Sequence, residues 1–190
     1  MKYPEFYDSV ENISLIDPLA KVLGAFENGE YEISYVEVVK AAGHSCPTVA
    51  GAYLMTTAAL KTLFSNQRAV RGNIKVEFAE DLEEGVAGVI GNVISHITGA
   101  TQKSGFKGLG GKFSRHSLMY FNANIQSSAR FTRIDNGKSV DVFYNPSSVP
   151  ADPQMMAYMQ TDIDKFGELW QDRVRRIFEN SKDIIEVREL

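Results

Sequence analysis

Cys46 is the only cysteine in the chain; it follows His44 by two residues and immediately precedes Pro47. Imidazole and thiolate are the commonest protein ligands of zinc and related divalent transition metals, so His44 and Cys46 read as two ligands of a metal site. Two ligands do not close a tetrahedral shell. The others must come from carboxylates, water, a partner chain, or His96 or His116, the only remaining imidazoles. The same pair supports a metal-free alternative, in which a Cys46 thiolate beside His44 attacks a carbonyl or thioester. A third alternative is an accessory protein of a larger complex whose site is vestigial. Against an inert buried cysteine stand the glycine before His44 and the proline after Cys46.

The elements around this pair follow from local pattern. Pro is favoured in the first turn of a helix, so Pro47 opens one that runs to Phe64 and puts Cys46 at its N-terminus, where unpaired N–H groups favour an anionic sulfur. Its Gly, Ala and Thr content (Ala50, Gly51, Ala52, Thr56, Thr57, Ala58, Ala59) thins the helix and lets neighbouring backbones approach. Upstream, Ser34 and Glu37 form a capping box for a short helix that delivers the chain to Gly43, with a strand as the competing assignment because of Val36, Val38 and Val39. Asp17-Pro18 starts an earlier helix whose Leu19, Val22, Leu23 and Phe26 should pack on the main body.

Downstream, Ile74, Val76 and Phe78 alternate with charged residues, which predicts a half-buried strand. Val89 to Thr98 reads as a helix. Residues 99–111 form a glycine-rich loop with Lys103, Lys107 and Lys112 in or beside it; it lacks the spacing of a phosphate-binding loop. Phe113 to Phe121 carries apolar residues on both faces and reads as a central strand. Residues 126–134 and 139–144 flank Asp135-Asn136-Gly137 and predict a hairpin, because Asn-Gly supplies the positive φ angles of a tight turn. After a proline-rich connector, Met156, Met159, Ile163, Phe166, Trp170, Val174 and Ile177 recur at helical spacing and predict one long helix. That stripe either docks on the protein's own core or packs against a second copy of the chain.

Composition limits the functional classes. With 44% hydrophobic residues in 190, the chain can bury one sizeable core. A formal charge of −4 argues against a nucleic-acid partner. The lone cysteine excludes an intramolecular disulfide framework and fits a reducing compartment. Neither a signal peptide nor a membrane-spanning apolar run is evident, so a cytoplasmic protein without a membrane partner is expected.

The run Gly43-His44-Ser45-Cys46-Pro47, followed by Ala50-Gly51-Ala52 and Tyr53, resembles the signature of the formylmethanofuran dehydrogenase E-subunit family, whose usual form is Gly-His-x-Cys-Pro-Gly with a later Gly-Tyr pair. Gly99-Ala100-Thr101, leading into the glycine- and lysine-rich loop, resembles the family's Gly-Cys-Thr and Gly-Lys-Gly segments. The resemblance spans roughly residues 35–121. It implies an α+β core similar to the catalytic domain of glyceraldehyde-3-phosphate dehydrogenase. It also implies a site for zinc or another divalent metal centred on His44 and Cys46, accessory to one-carbon or redox metabolism. Thr48, Ala100 and Asn92 depart from the family's glycine, cysteine and aspartate, and the zinc finger that some relatives append is absent.

The sequence therefore predicts a single α+β domain over residues 1–190, with a core over about 30–145 and a helical extension over about 151–180. Its mixed or antiparallel sheet packs against helices, followed by the long C-terminal helix. The expected assembly is a homodimer. An unidentified small-molecule ligand would meet Cys46 and His44, with Tyr53 lining the pocket and Lys107 and Lys112 meeting an anionic group.

Overall fold

The computed structural model describes residues 2–65 and 67–190. Its elements run in the order β1 (Ile13–Ile16), α1 (Pro18–Val22), β2 (Glu30–Ile33), α2 (Tyr35–Ala42), α3 (Pro47–Phe64), β3 (Ala69–Val70), β4 (Ile74–Glu77), α4 (Ala87–Thr98), β5 (Met119–Tyr120), β6 (Ala129–Arg133), β7 (Ser139–Tyr144), α5 (Met155–Thr161), α6 (Ile163–Glu179), α7 (Ser181–Ile184) and β8 (Ile185–Glu189). This is an α+β fold with two sheets. The smaller has the order β2-β1-β3 and the larger β5-β4-β6-β7-β8. Both are mixed, since β1 with β3 and β4 with β5 are parallel while the other pairs are antiparallel.

The helix that follows Cys46 is the centre of the molecule. Ala50, Ala52, Tyr53, Met55, Thr56 and Ala59 are all buried, and α3 packs against α2, α4, α6, β7 and β8. Its small residues permit that many neighbours. Gly51 shows how: a methyl group there would overlap the ring of Tyr144, which lies across the helix from β7. From the sheet, Ile74, Val76, Ala129, Phe131, Val140 and Val142 complete the core. No helix among the described residues is long and apolar enough to cross a membrane.

The capping box at Ser34 and Glu37 forms as expected, with both reciprocal contacts, so α2 is a helix rather than a strand. The hairpin also forms, but only Gly137 of the Asn-Gly pair takes a positive φ (74°). The loop accordingly holds four residues, closed by Arg133 N–H donating to the Lys138 carbonyl at 2.8 Å and Gly137 N–H to the Arg133 carbonyl at 2.9 Å.

Three expectations are corrected. The segment 113–121 is not a central strand: Phe113 and Ser117 adopt φ of 62° and 56°, which break extended pairing. Only Met119–Tyr120 pairs, at the sheet edge, while Arg115 turns inward to meet Asp17. The long helix is two helices, because Asp162 (φ −155°, ψ 90°) ends α5 and its carboxylate accepts the Lys165 N–H at 3.0 Å, starting α6 afresh. Third, α1 ends at Val22, and the apolar residues expected to pack on the main body are not buried; Val22, Leu23 and Phe26 are exposed. Beyond α6, where the sequence pattern assigns no element, the chain returns as β8 to pair with β7. The α6 stripe docks on its own core through Val174 and Ile177, whereas Met156, Met159 and Ile163 stay exposed.

Candidate functional site

Gly43 ends α2 in the left-handed conformation (φ 78°) that favours glycine, and the chain turns there into His44-Ser45-Cys46. Cys46 is the N-cap of α3, with extended backbone and its Sγ accepting the Val49 N–H at 3.4 Å. The residue is nearly buried, at 8% exposure.

The turn is gripped from three directions. The Ser45 carbonyl accepts hydrogen bonds from Trp170 Nε1 at 2.9 Å and Gln171 Nε2 at 3.2 Å, both on α6. The Ser45 hydroxyl lies 2.8 Å from the Tyr35 hydroxyl, at the start of α2. Tyr144 on β7 donates to the Pro47 carbonyl at 2.8 Å. Burial pushes both Tyr35 and Tyr144 well above the ordinary phenol value, so both hydroxyls remain protonated at neutral pH. None of these partners stands out in the sequence. Trp170 reads there as one more stripe residue, and the one available signal is a glycine at position 51 in a helix interior.

His44 precedes Cys46 by two residues. It is exposed and lines a groove of about 280 Å³ between α2 and α4, whose floor includes Val38 and Val93 and whose polar rim is His44, Asn92 and His96. Cys46 is not part of that lining. His44 Nδ1 sits 3.1 Å from the Ala42 carbonyl. Because a carbonyl only accepts, Nδ1 carries the proton in that contact, which leaves Nε2 as the ring nitrogen able to ligate. His96 is in the last turn of α4, where Arg71 holds the helix end by donating from Nη2 to the His96 carbonyl and from Nε to the Ile97 carbonyl, each at 3.1 Å. Desolvation, then the charge of Arg71, hold the His96 imidazole below its ordinary value, with Glu37 opposing.

Arg71 belongs to a buried charge cluster. The Asp17 carboxylate caps α1 and accepts from Arg115 at 2.5 Å and from Arg71 at 3.3 Å. Arg115 passes so close to Gly72 that a methyl group there would overlap its guanidinium. Its Nε has no hydrogen-bond partner among the described residues.

The other anticipated residues are dispersed. Tyr53 is buried, with its hydroxyl 2.7 Å from the Glu11 carbonyl and 3.1 Å from the Ile33 carbonyl, and it borders a separate groove of about 520 Å³ with Lys61 and Phe178. Lys107 and Lys112 are exposed in the glycine-rich loop. Among the described residues, no side-chain hydrogen bond or ion pair joins either lysine to the His44–Pro47 turn. His116 Nδ1 lies 3.0 Å from the Ser117 hydroxyl, in the segment after that loop.

A metal is the occupant that the sequence leads one to expect. Among the described residues, no three His, Cys, Asp or Glu side chains converge closely enough to hold one. The described side chains therefore do not close a tetrahedral shell around His44 and Cys46; the residues that share a groove are His44 and His96.

Neither a family model nor a curated protein sequence matches the chain. Among solved structures, the chain is similar to the crystal structure of a protein from Syntrophus aciditrophicus that is like the E-subunit of tungsten formylmethanofuran dehydrogenase, at 18% identity and a TM-score of 0.45, covering 83% of this chain and 72% of that one.

Proposed function

We propose that this protein binds a divalent transition metal, zinc or a similar ion, in the groove between α2 and α4, through the imidazoles of His44 and His96. The observation that carries the reading is that both histidines line one groove while His44 Nδ1 sits against the Ala42 carbonyl. Ligating histidines are commonly fixed in this way, with the non-ligating nitrogen donating to a carbonyl. The depressed basicity of His96 supports the same role, since only a neutral imidazole binds metal.

With two protein donors, the remaining coordination positions fall to water or to a small molecule resting on Val38 and Val93. A bound metal there would supply Lewis acidity to that molecule. Cys46 in this reading is architectural and caps α3, while the contacts to Ser45 and Pro47 fix where His44 leaves the turn.

Equilibrium dialysis against zinc tests the proposal. Wild type and Cys46→Ala should take up metal equally, and His44→Ala and His96→Ala should each lose it. Wild type without zinc uptake, or uptake unchanged in both histidine variants, would overturn it.

A further inference from the structure

The larger sheet ends at β8, and the ladder register fixes which of its backbone groups are free. Leu190 N–H donates to the Ser139 carbonyl at 3.1 Å and Asn145 N–H to the Ile184 carbonyl at 2.9 Å. In an antiparallel ladder bonded residues alternate, so Ile184, Glu186, Arg188 and Leu190 face β7. The N–H and C=O groups of Val187 and Glu189 therefore point out of the sheet, with the Ile185 carbonyl. The Ile185 N–H is already engaged by the Ser181 carbonyl. Among the described residues no further strand pairs with this edge.

We propose that β8 is the surface on which a second copy of this chain pairs, antiparallel about a two-fold axis at Val187, joining the two larger sheets into one. In this register the two Val187 residues exchange N–H···O bonds. Each Glu189 N–H then donates to the Ile185 carbonyl of the other copy. The outward N–H and C=O of Val187, the Glu189 N–H and the Ile185 carbonyl all find partners, and the Glu189 carbonyl, opposite the engaged Ile185 N–H, is left to solvent.

Charge selects the same register and the same occupant. Glu186 and Arg188 are exposed and bridge each other at 2.6 Å within one chain. About an axis at Val187, Glu186 of each copy falls opposite Arg188 of the other, so opposite charges meet twice. Moving the axis to Glu189 sets two carboxylates face to face, and moving it to Ile185 drives the strands into α7. Edge strands are commonly protected by charge of one sign, typically lysine. Here the signs alternate, which makes the edge self-complementary in the manner a two-fold interface requires.

Sedimentation velocity across a concentration series, paired with hydrogen exchange, tests the proposal. Wild type should show a dimer that grows with concentration, together with rising protection of the Val187 and Glu189 amides. Arg188→Glu sets like charges opposite each other and should weaken association about tenfold or more, and Glu186→Arg with Arg188→Glu should restore it. Arg188 also stacks over the Phe143 ring of β7 at 4.4 Å, a contact that the single and the double variant both lose, so restoration by the double variant isolates the charge term. A strict monomer, a dimer without added protection at Val187 and Glu189, or a dimer indifferent to Arg188→Glu would overturn the proposal.

Discussion

Replacing Asp17 by Asn should be among the most damaging single changes on the smaller-sheet side of the molecule. The Asp17 carboxylate does two jobs. Oδ1 accepts the Leu19 N–H at 2.9 Å and the Ala20 N–H at 3.3 Å, which caps α1. The same group neutralises Arg115, whose side chain is only 7% exposed, and shares Arg71. Asparagine is as good an N-cap as aspartate, so the cap survives and the change isolates the charge. Removing one member of a buried ion pair costs about 3–5 kcal/mol, because the other is left uncompensated. Arg71 is a quarter exposed and can rehydrate, which puts the expected loss near the lower end, about 3 kcal/mol. For a chain of this length that is a fall in Tm of about 6–12 °C. Urea unfolding and calorimetry would measure it. The double variant with Arg115→Met should recover part of the loss, since neither charge is then stranded. A loss below about 1 kcal/mol, or a double variant as unstable as the sum of the singles, would refute this account of the cluster.

Three further outcomes are expected. Gly51→Ala pushes a methyl group into the Tyr144 ring and should cost about 1–3 kcal/mol, much less when Tyr144→Ala is already present; additive losses would show that the two do not touch. His96 is exposed yet held below its ordinary value by partial desolvation first and Arg71 second, so protonation favours the unfolded chain. Its effect on stability is nil above the unfolded value of about 6.5 and becomes a growing penalty as pH falls from there toward the folded value. His96→Gln should therefore flatten the pH dependence of unfolding over that window, and identical slopes would count against it. Trp170→Phe removes one donor to the Ser45 carbonyl and should speed alkylation of native Cys46 by iodoacetamide; an unchanged rate would mean that α6 does not grip the turn.

The parts of the fold set by local chemistry are legible in the sequence. Pro47 with the small residues after it marks α3, Ser34 and Glu37 mark α2, and Gly137 with its flanking alternation marks the β6–β7 hairpin. Segments whose conformation depends on distant partners are not. Arg115 leaves its strand pattern because Asp17, far earlier in the chain, neutralises it. The break at Asp162 preserves the apolar spacing on either side, so periodicity runs straight through it. β8 is too short and charged to announce itself without β7 beside it. For the site, spacing correctly puts Cys46 at a helix N-terminus, but two residues of separation say nothing about direction. His44 is turned into the α2–α4 groove and Cys46 into the core, and His96 joins His44 only once α4 packs beside α2.

Cobalt(II) loaded in place of zinc tests the central claim directly, because a cobalt–thiolate bond gives an intense near-ultraviolet charge-transfer band that imidazole ligation lacks. The two-imidazole site predicts cobalt binding without that band in wild type, an unchanged spectrum in Cys46→Ala, and no spectrum in His44→Ala or His96→Ala. A thiolate band that disappears in Cys46→Ala while persisting in His96→Ala would contradict it.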